Sequence, residues 1–208
     1  TGTTFRMGQR RIVLARLDPV AQPKTSHRRV ILTGESAVEQ LRSLISAAEA
    51  GRAGYDAVQY GARIKPRQKP TQMTLGEIQH WIKQTPGQHH AIGRYQIIPA
   101  TLRSLMRRGG FGPGTKFSKS VQDEMANMLL LDAGYNQFSC GRMTRQAFMN
   151  NLARIWAGLP TSTGASAYHG YAGNAATITW ASYETAMASV FPPRSIKRNV
   201  RSGACSMP

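Results

Sequence analysis

The sequence predicts a mainly α (α+β) protein: a helical domain with a small β-hairpin segment directly after its first helix, flanked by basic N- and C-terminal arms. Three observations carry that prediction. Ser36-x-x-Glu39 and Thr74-x-x-Glu77 are capping boxes, each opening an apolar run. Further segments repeat apolar residues at helical spacing and close on Gly or Pro. Residues 52–73 lack that period and mix Tyr55, Val58, Tyr60 and Ile64 with Gly, Pro and basic residues, which suits an irregular hairpin.

The elements follow in order. Val38, Leu41, Leu44, Ile45 and Ala48 form the apolar stripe of the first helix, with Gly51 as its stop. The second helix opens at Thr74 and carries Leu75, Ile78, Trp81 and Ile82. Pro99, whose fixed φ suits a first helical position, starts the third, which runs through Leu102, Leu105 and Met106 to Gly109-Gly110. The fourth follows Ser118 through Val121, Met125 and Leu129 and stops near Gly134. Thr144 starts the fifth, with Phe148, Leu152, Ile155 and Trp156, closed by Gly158 and Pro160. A sixth is expected over about 175–190. Trp81 and Trp156 fall on apolar faces and read as core. Asp123-Glu124 reads as a solvated face, and Arg28-Arg29 and Arg107-Arg108 as surface charge.

These helices define a domain over 34–191. Residues 1–33 are basic and broken, with short apolar pieces Ile12-Val13-Leu14 and Val30-Ile31-Leu32, and read as an extended arm. Residues 192–208, opening on Pro192-Pro193, read as a tail. Thr1 to Arg11 hold no apolar signal segment, and a start at Thr leads us to expect that an upstream piece has been removed. No apolar run approaches the length of a membrane span.

A chain of 208 residues can bury a sizeable core. Its net charge of +17, from 27 basic and 10 acidic residues, attracts polyanions: nucleic acid, anionic lipid, or a cell wall rich in carboxylates and phosphates. Charge does not choose among them. The scarcity of acids is more useful, because an acid catalyst must be one of those 10 residues. Cys140 and Cys205 lie far apart without metal spacing, and either form one disulfide clipping the tail to the body or stay as buried thiols. His80 and His89-His90 have no Cys or acid at ligand spacing, so neither a metal nor another cofactor is expected.

Glu49 is the strongest catalytic candidate. It sits in the last turn of its helix, where the negative end of the macrodipole disfavours an ionised carboxylate. Its neighbours Ala47, Ala48 and Ala50 supply no charge, so burial would raise its pKa further. A carboxylic acid kept protonated near neutral pH is what a glycosidase needs to protonate a leaving-group oxygen. Most helix-end glutamates are solvated. The company of Glu49 sets it apart: Gly93-Arg94-Tyr95-Gln96-Ile97-Ile98-Pro99-Ala100-Thr101 offers a glycine for close backbone approach, a ring, an amide and a helix start.

Ala48-Glu49-Ala50-Gly51, Gly54-Tyr55-Asp56, Gly93-Arg94-Tyr95-Gln96 and Ile155-Trp156-Ala157-Gly158-Leu159-Pro160 occur in that order. Together they resemble the lambda-type phage endolysins of the lysozyme-like superfamily of lytic transglycosylases, over about residues 36–190. The resemblance implies a lysozyme-like fold and cleavage of the β-1,4 bond between N-acetylmuramic acid and N-acetylglucosamine in peptidoglycan. It implies Glu49 as the single acid/base, with Tyr95 and Gln96 holding acetamido sugars. It also implies a late tyrosine near Glu49: Tyr168, which we favour, or Tyr171. Many relatives carry Ser beside the Glu, where this chain has Ala on both sides.

Asp56 separates two mechanisms. An inverting hydrolase needs a second carboxylate to activate water, whereas a lytic transglycosylase uses the C6 hydroxyl of the substrate and needs none. Asp56 is either that base or a turn-stabilising residue. The resemblance favours the transglycosylase, with Asp56 positioning substrate or loop. It implies peptidoglycan strands as partner and a periplasmic, secreted or virion-associated location. The terminal arms are candidates for docking onto a phage, phage-like or cell-envelope assembly. A third reading is a basic virion or nucleic-acid-binding protein on a lysozyme-like scaffold, but no specific nucleic-acid motif accompanies the charge.

Overall fold

The computed structural model describes residues 37–169 and 175–192. Seven α-helices occur among them: α1 (Ala37–Glu49), α2 (Leu75–Gln84), α3 (Pro99–Gly109), α4 (Lys119–Asp132), α5 (Tyr135–Ser139), α6 (Arg145–Ala153) and α7 (Trp180–Val190). The protein is mainly α, as the sequence predicts. Of the two arms, only Pro192 lies within the described residues.

Local chemistry explains most helix starts. Thr74 and Glu77 form the complete capping box of α2, each side chain bonding the other's backbone N–H. Ser118 and Thr144 cap α4 and α6 by accepting from Val121 and Ala147 N–H. The third helix ends on Gly110 in the left-handed region, at φ 67°. Ser36, the expected cap of α1, lies outside the described residues.

Beyond Gly134, near which the fourth predicted helix stops, the chain enters a further short helix, α5. Three expectations are corrected. The fifth predicted helix stops at Ala153, so Ile155 and Trp156 leave the helix; there Trp156 sits in the core and its Nε1 donates to the Tyr95 carbonyl at 3.2 Å. The last helix begins at Trp180 because Thr179 accepts from Ser182 N–H and fixes the start. Residues 52–73 form no hairpin. They make 3-10 turns over Gly51–Asp56 and Pro70–Gln72, and Val58 pairs through one isolated bridge with Ile92. Pro66 and Pro70 lack the N–H that a returning strand would contribute, so this segment pairs with 91–93 and not with itself.

The core joins Leu41, Leu44 and Ile45 of α1 to residues of α2, α3, α4, α6 and α7, with Trp81 and Trp156 buried within it as expected. Helix α1 packs on α7 and on the 3-10 turn that follows it, so its C-terminal end faces the loop before α7. Cys140 is disulfide-bonded; Cys205, the other cysteine of the chain, lies outside the described residues.

Candidate active site around Glu49

Glu49 ends α1 with only 3% of its surface exposed. Its Oε1 accepts a hydrogen bond from the Gly158 N–H at 2.8 Å, and its Oε2 is buried with no partner. Burial raises the pKa to about 8, against a smaller lowering by the Gly158 hydrogen bond. The carboxyl is therefore protonated at neutral pH. With Oε1 engaged as acceptor, the proton belongs on Oε2, the oxygen that no protein group satisfies.

The loop carrying Gly158 is stitched to the end of α1. A Cβ on Gly158 would lie 2.5 Å from the Ala48 carbonyl oxygen and 3.1 Å from Glu49 Oε1, so only glycine admits this approach. Thr177 closes the same contact: its N–H donates to the Gly158 carbonyl at 2.9 Å, and its hydroxyl lies 3.1 Å from the Ala48 carbonyl. Trp156, two residues before Gly158, ties the loop to the 93–96 turn through the Tyr95 carbonyl.

That turn is built differently from the sequence expectation. The missing Cβ of Gly93 leaves room for protein, not ligand: it would stand 2.5 Å from Gln122 Oε1 and 2.8 Å from the Phe117 ring. Gln122 is fully buried, accepts from the Arg94 N–H and donates to the Tyr55 and Phe117 carbonyls. Gln96 takes φ 44°, unusual for a residue with a side chain, and its Nε2 turns back to the Gly93 carbonyl at 3.0 Å. Tyr95 has its ring buried at 1% exposure, and its hydroxyl donates to Asp123. These groups hold the turn together, with the Tyr95 hydroxyl and Gln96 Nε2 committed inside the protein.

Asp123, read from sequence as solvated, is the centre of a polar cluster. It accepts from the hydroxyls of Tyr55 and Tyr95 and faces Arg94 at 3.6 Å and Arg42 at 3.8 Å. Arg94 donates in turn to Tyr55 and to Ser43 of α1. Burial, and then the hydrogen bond to Asp123, pushes the Tyr55 and Tyr95 hydroxyls upward, so both stay protonated as donors. The cluster ties α1, the 3-10 turn, the 93–96 turn and α4 together. Asp123→Asn keeps an acceptor but removes the charge facing two guanidinium groups. Chemical denaturation should show a loss of about 1–2 kcal/mol, discounted for partial exposure.

Asp56 is held by Thr71, whose N–H and hydroxyl donate to its Oδ1 at 3.0 and 2.7 Å. This is a turn-stabilising contact, made through Oδ1. The Tyr168 hydroxyl donates to the Arg154 carbonyl, and its ring lines a cleft of about 330 Å³ with Ile98, Thr101, Arg108 and Ile155. Glu49 does not line that cleft. Tyr171 lies outside the described residues. The structure thus joins the Glu49 and Gly158 segments directly, and the Tyr95 segment through Trp156. Sequence reasoning missed Asp123, Gln122 and Thr177 as the groups that hold them. Their signals, an acid, an amide and a hydroxyl on otherwise ordinary elements, are indistinguishable from surface polarity before the fold is known.

Compared with protein-family models, curated proteins and solved structures, the chain matches none of them.

Proposed function

We propose that this protein cleaves peptidoglycan as a lytic transglycosylase, with Glu49 as its single acid/base. The observation that carries the reading is the buried Glu49 carboxyl, with one oxygen fixed by Gly158 and the other unpartnered, an environment that favours its protonated form. Oε2–H would protonate the glycosidic oxygen between N-acetylmuramic acid and N-acetylglucosamine as the C1–O bond breaks. The resulting carboxylate would then take the proton of the C6 hydroxyl while O6 bonds to C1, closing a 1,6-anhydro ring and returning Glu49 to its acid form. The enclosure of Oε2 requires its surroundings to part when a glycan strand binds. The basic surface would hold the protein on the anionic wall, on the periplasmic or outer side of the envelope or on a virion.

A hydrolytic muramidase needs a second carboxylate to activate water, and Asp56 Oδ1 already accepts two hydrogen bonds from Thr71. This anchoring supports a role for Asp56 in holding its loop, as the transglycosylase reading has it. Mass spectra of muropeptides released from purified peptidoglycan should show 1,6-anhydro-N-acetylmuramic acid, one water lighter than the reducing sugar. Asp56→Asn keeps an Oδ1 acceptor for Thr71 and should retain activity within about tenfold, well short of the loss expected for a general base. Reducing ends alone, together with an inactive Asp56→Asn, would establish the muramidase instead. Absence of any released saccharide would favour a non-enzymatic basic protein.

A further inference from the structure

Residues 57–76 contain four cations, Arg63, Lys65, Arg67 and Lys69, and no acid. All four are exposed, and none takes part in the ion pairs of the described residues. Among them stand Tyr60 at 62% exposure and Ile64 at 60%, the two most exposed large apolar side chains of the described residues. Single exposed apolar residues are ordinary. Two within five positions, set among four unpaired cations, form a patch with both an apolar and a cationic character.

The backbone of this loop is fixed. The Ile64 N–H donates to Gln88 Oε1 at 2.9 Å, and the Ile64 carbonyl accepts from Gln88 Nε2 and Trp81 Nε1 at 2.8 and 2.9 Å. Ala62 and Pro70 are buried on either side. The polar backbone atoms of Ile64 are thus satisfied by the protein while its side chain points outward. Entering an apolar phase normally costs the desolvation of a peptide group, and here that cost is already met from within.

We propose that loop 60–69 seats the protein on an anionic lipid surface, with Tyr60 and Ile64 entering the headgroup boundary and the four cations pairing with lipid phosphates. The choice of partner follows from side-chain chemistry. Ile64 has no ring to stack on a base and no polar group to bind a sugar, so neither nucleic acid nor glycan uses it. A bilayer with anionic headgroups is the polyanion that also has an apolar interior. Tyrosine is suited to its boundary, and the stems of Lys and Arg can lie along it with their charges in water. None of the hydrogen bonds that hold this loop reaches Glu49, and the surface does not depend on the activity proposed for that residue.

The test is cosedimentation of the full chain with vesicles of phosphatidylcholine alone or mixed with phosphatidylglycerol, beside binding to duplex DNA. The full chain keeps the basic arms constant across variants. Binding to phosphatidylglycerol vesicles should fall by about tenfold or more in Tyr60→Ser/Ile64→Ser, with DNA binding unchanged. Lys65→Gln/Lys69→Gln should weaken binding to both and steepen neither salt dependence. Ile64→Leu keeps the apolar area and should bind vesicles like the parent, which separates lost contact from lost folding. The proposal is overturned if the parent does not sediment with phosphatidylglycerol vesicles, if the double serine variant binds them undiminished, or if Ile64→Leu loses as much as the double serine variant. An equal loss on DNA and vesicles in Tyr60→Ser/Ile64→Ser would assign the loop to nucleic acid.

Discussion

Glu49→Gln is expected to reduce peptidoglycan cleavage by roughly 10²–10⁴-fold while the protein stays folded, because the amide keeps the size of the carboxyl but has no proton to transfer. Turbidity of a peptidoglycan suspension gives the rate, and appreciable clearing by the variant would remove Glu49 from the catalytic role. Stability supplies an independent signature with a definite sign. In the folded protein the carboxyl keeps its proton up to about pH 8, against an ordinary value of 4.5. The folded state therefore binds the proton more tightly than the unfolded chain. Its stabilising effect is fully present below pH 4.5 and is lost as pH rises toward 8, at about 1.4 kcal/mol for each pH unit crossed. Urea unfolding of the parent should weaken over that window, and Glu49→Gln, which does not titrate, should lack this component and be the more stable of the two near pH 8. Parallel pH dependences in the two proteins would mean that Glu49 is ionised in the folded state.

What could be read from the sequence, and what could not, divides along the range of the interactions involved. The caps Thr74, Ser118 and Thr144 act on backbone N–H groups three residues away, and each sits where the sequence puts it. The position of Glu49 at the end of α1 is likewise local, set by the apolar stripe before it and Gly51 after it. The expected hairpin is absent for a local reason: Pro66 and Pro70 remove ladder donors, leaving Val58 to pair with Ile92. The roles of Tyr95, Gln96 and Asp123 depend on contacts across many residues. Tyr95 to Asp123 spans 28 positions, and Glu49 to Gly158 spans 109. A ring and an amide offered to a ligand look the same in sequence as a ring and an amide offered to the protein. Gly93 shows this most clearly, since the space its hydrogen leaves is taken by Gln122 and Phe117.

Gly158→Ala should lower the melting temperature by roughly 2–12 °C and shift the alkaline limb of activity upward. The new methyl would stand 2.5 Å from the Ala48 carbonyl oxygen and 3.0 Å from its carbon. These are backbone atoms at the end of a packed helix and cannot swing aside as a flexible side chain would. Overpacking of this kind costs about 1–3 kcal/mol, and each kcal/mol moves the midpoint of a domain this size by about 2–4 °C. Relief must come from withdrawal of the Gly158 loop, which takes its N–H away from Glu49 Oε1. That hydrogen bond is what opposes the upward push of burial on Glu49, so its loss should carry the carboxyl above about 8 and keep the acid form to higher pH. The two readouts test different links. An unchanged melting temperature would show that the loop accommodates a side chain and that the close approach is not required. A destabilised variant whose pH profile coincides with that of the parent would show that the Gly158 N–H does not tune Glu49. Thr177→Val supplies the control: it removes the hydroxyl that joins the Ala48 and Gly158 carbonyls but leaves the Gly158 N–H in place. It should therefore lower stability by about 1 kcal/mol with little movement of the alkaline limb.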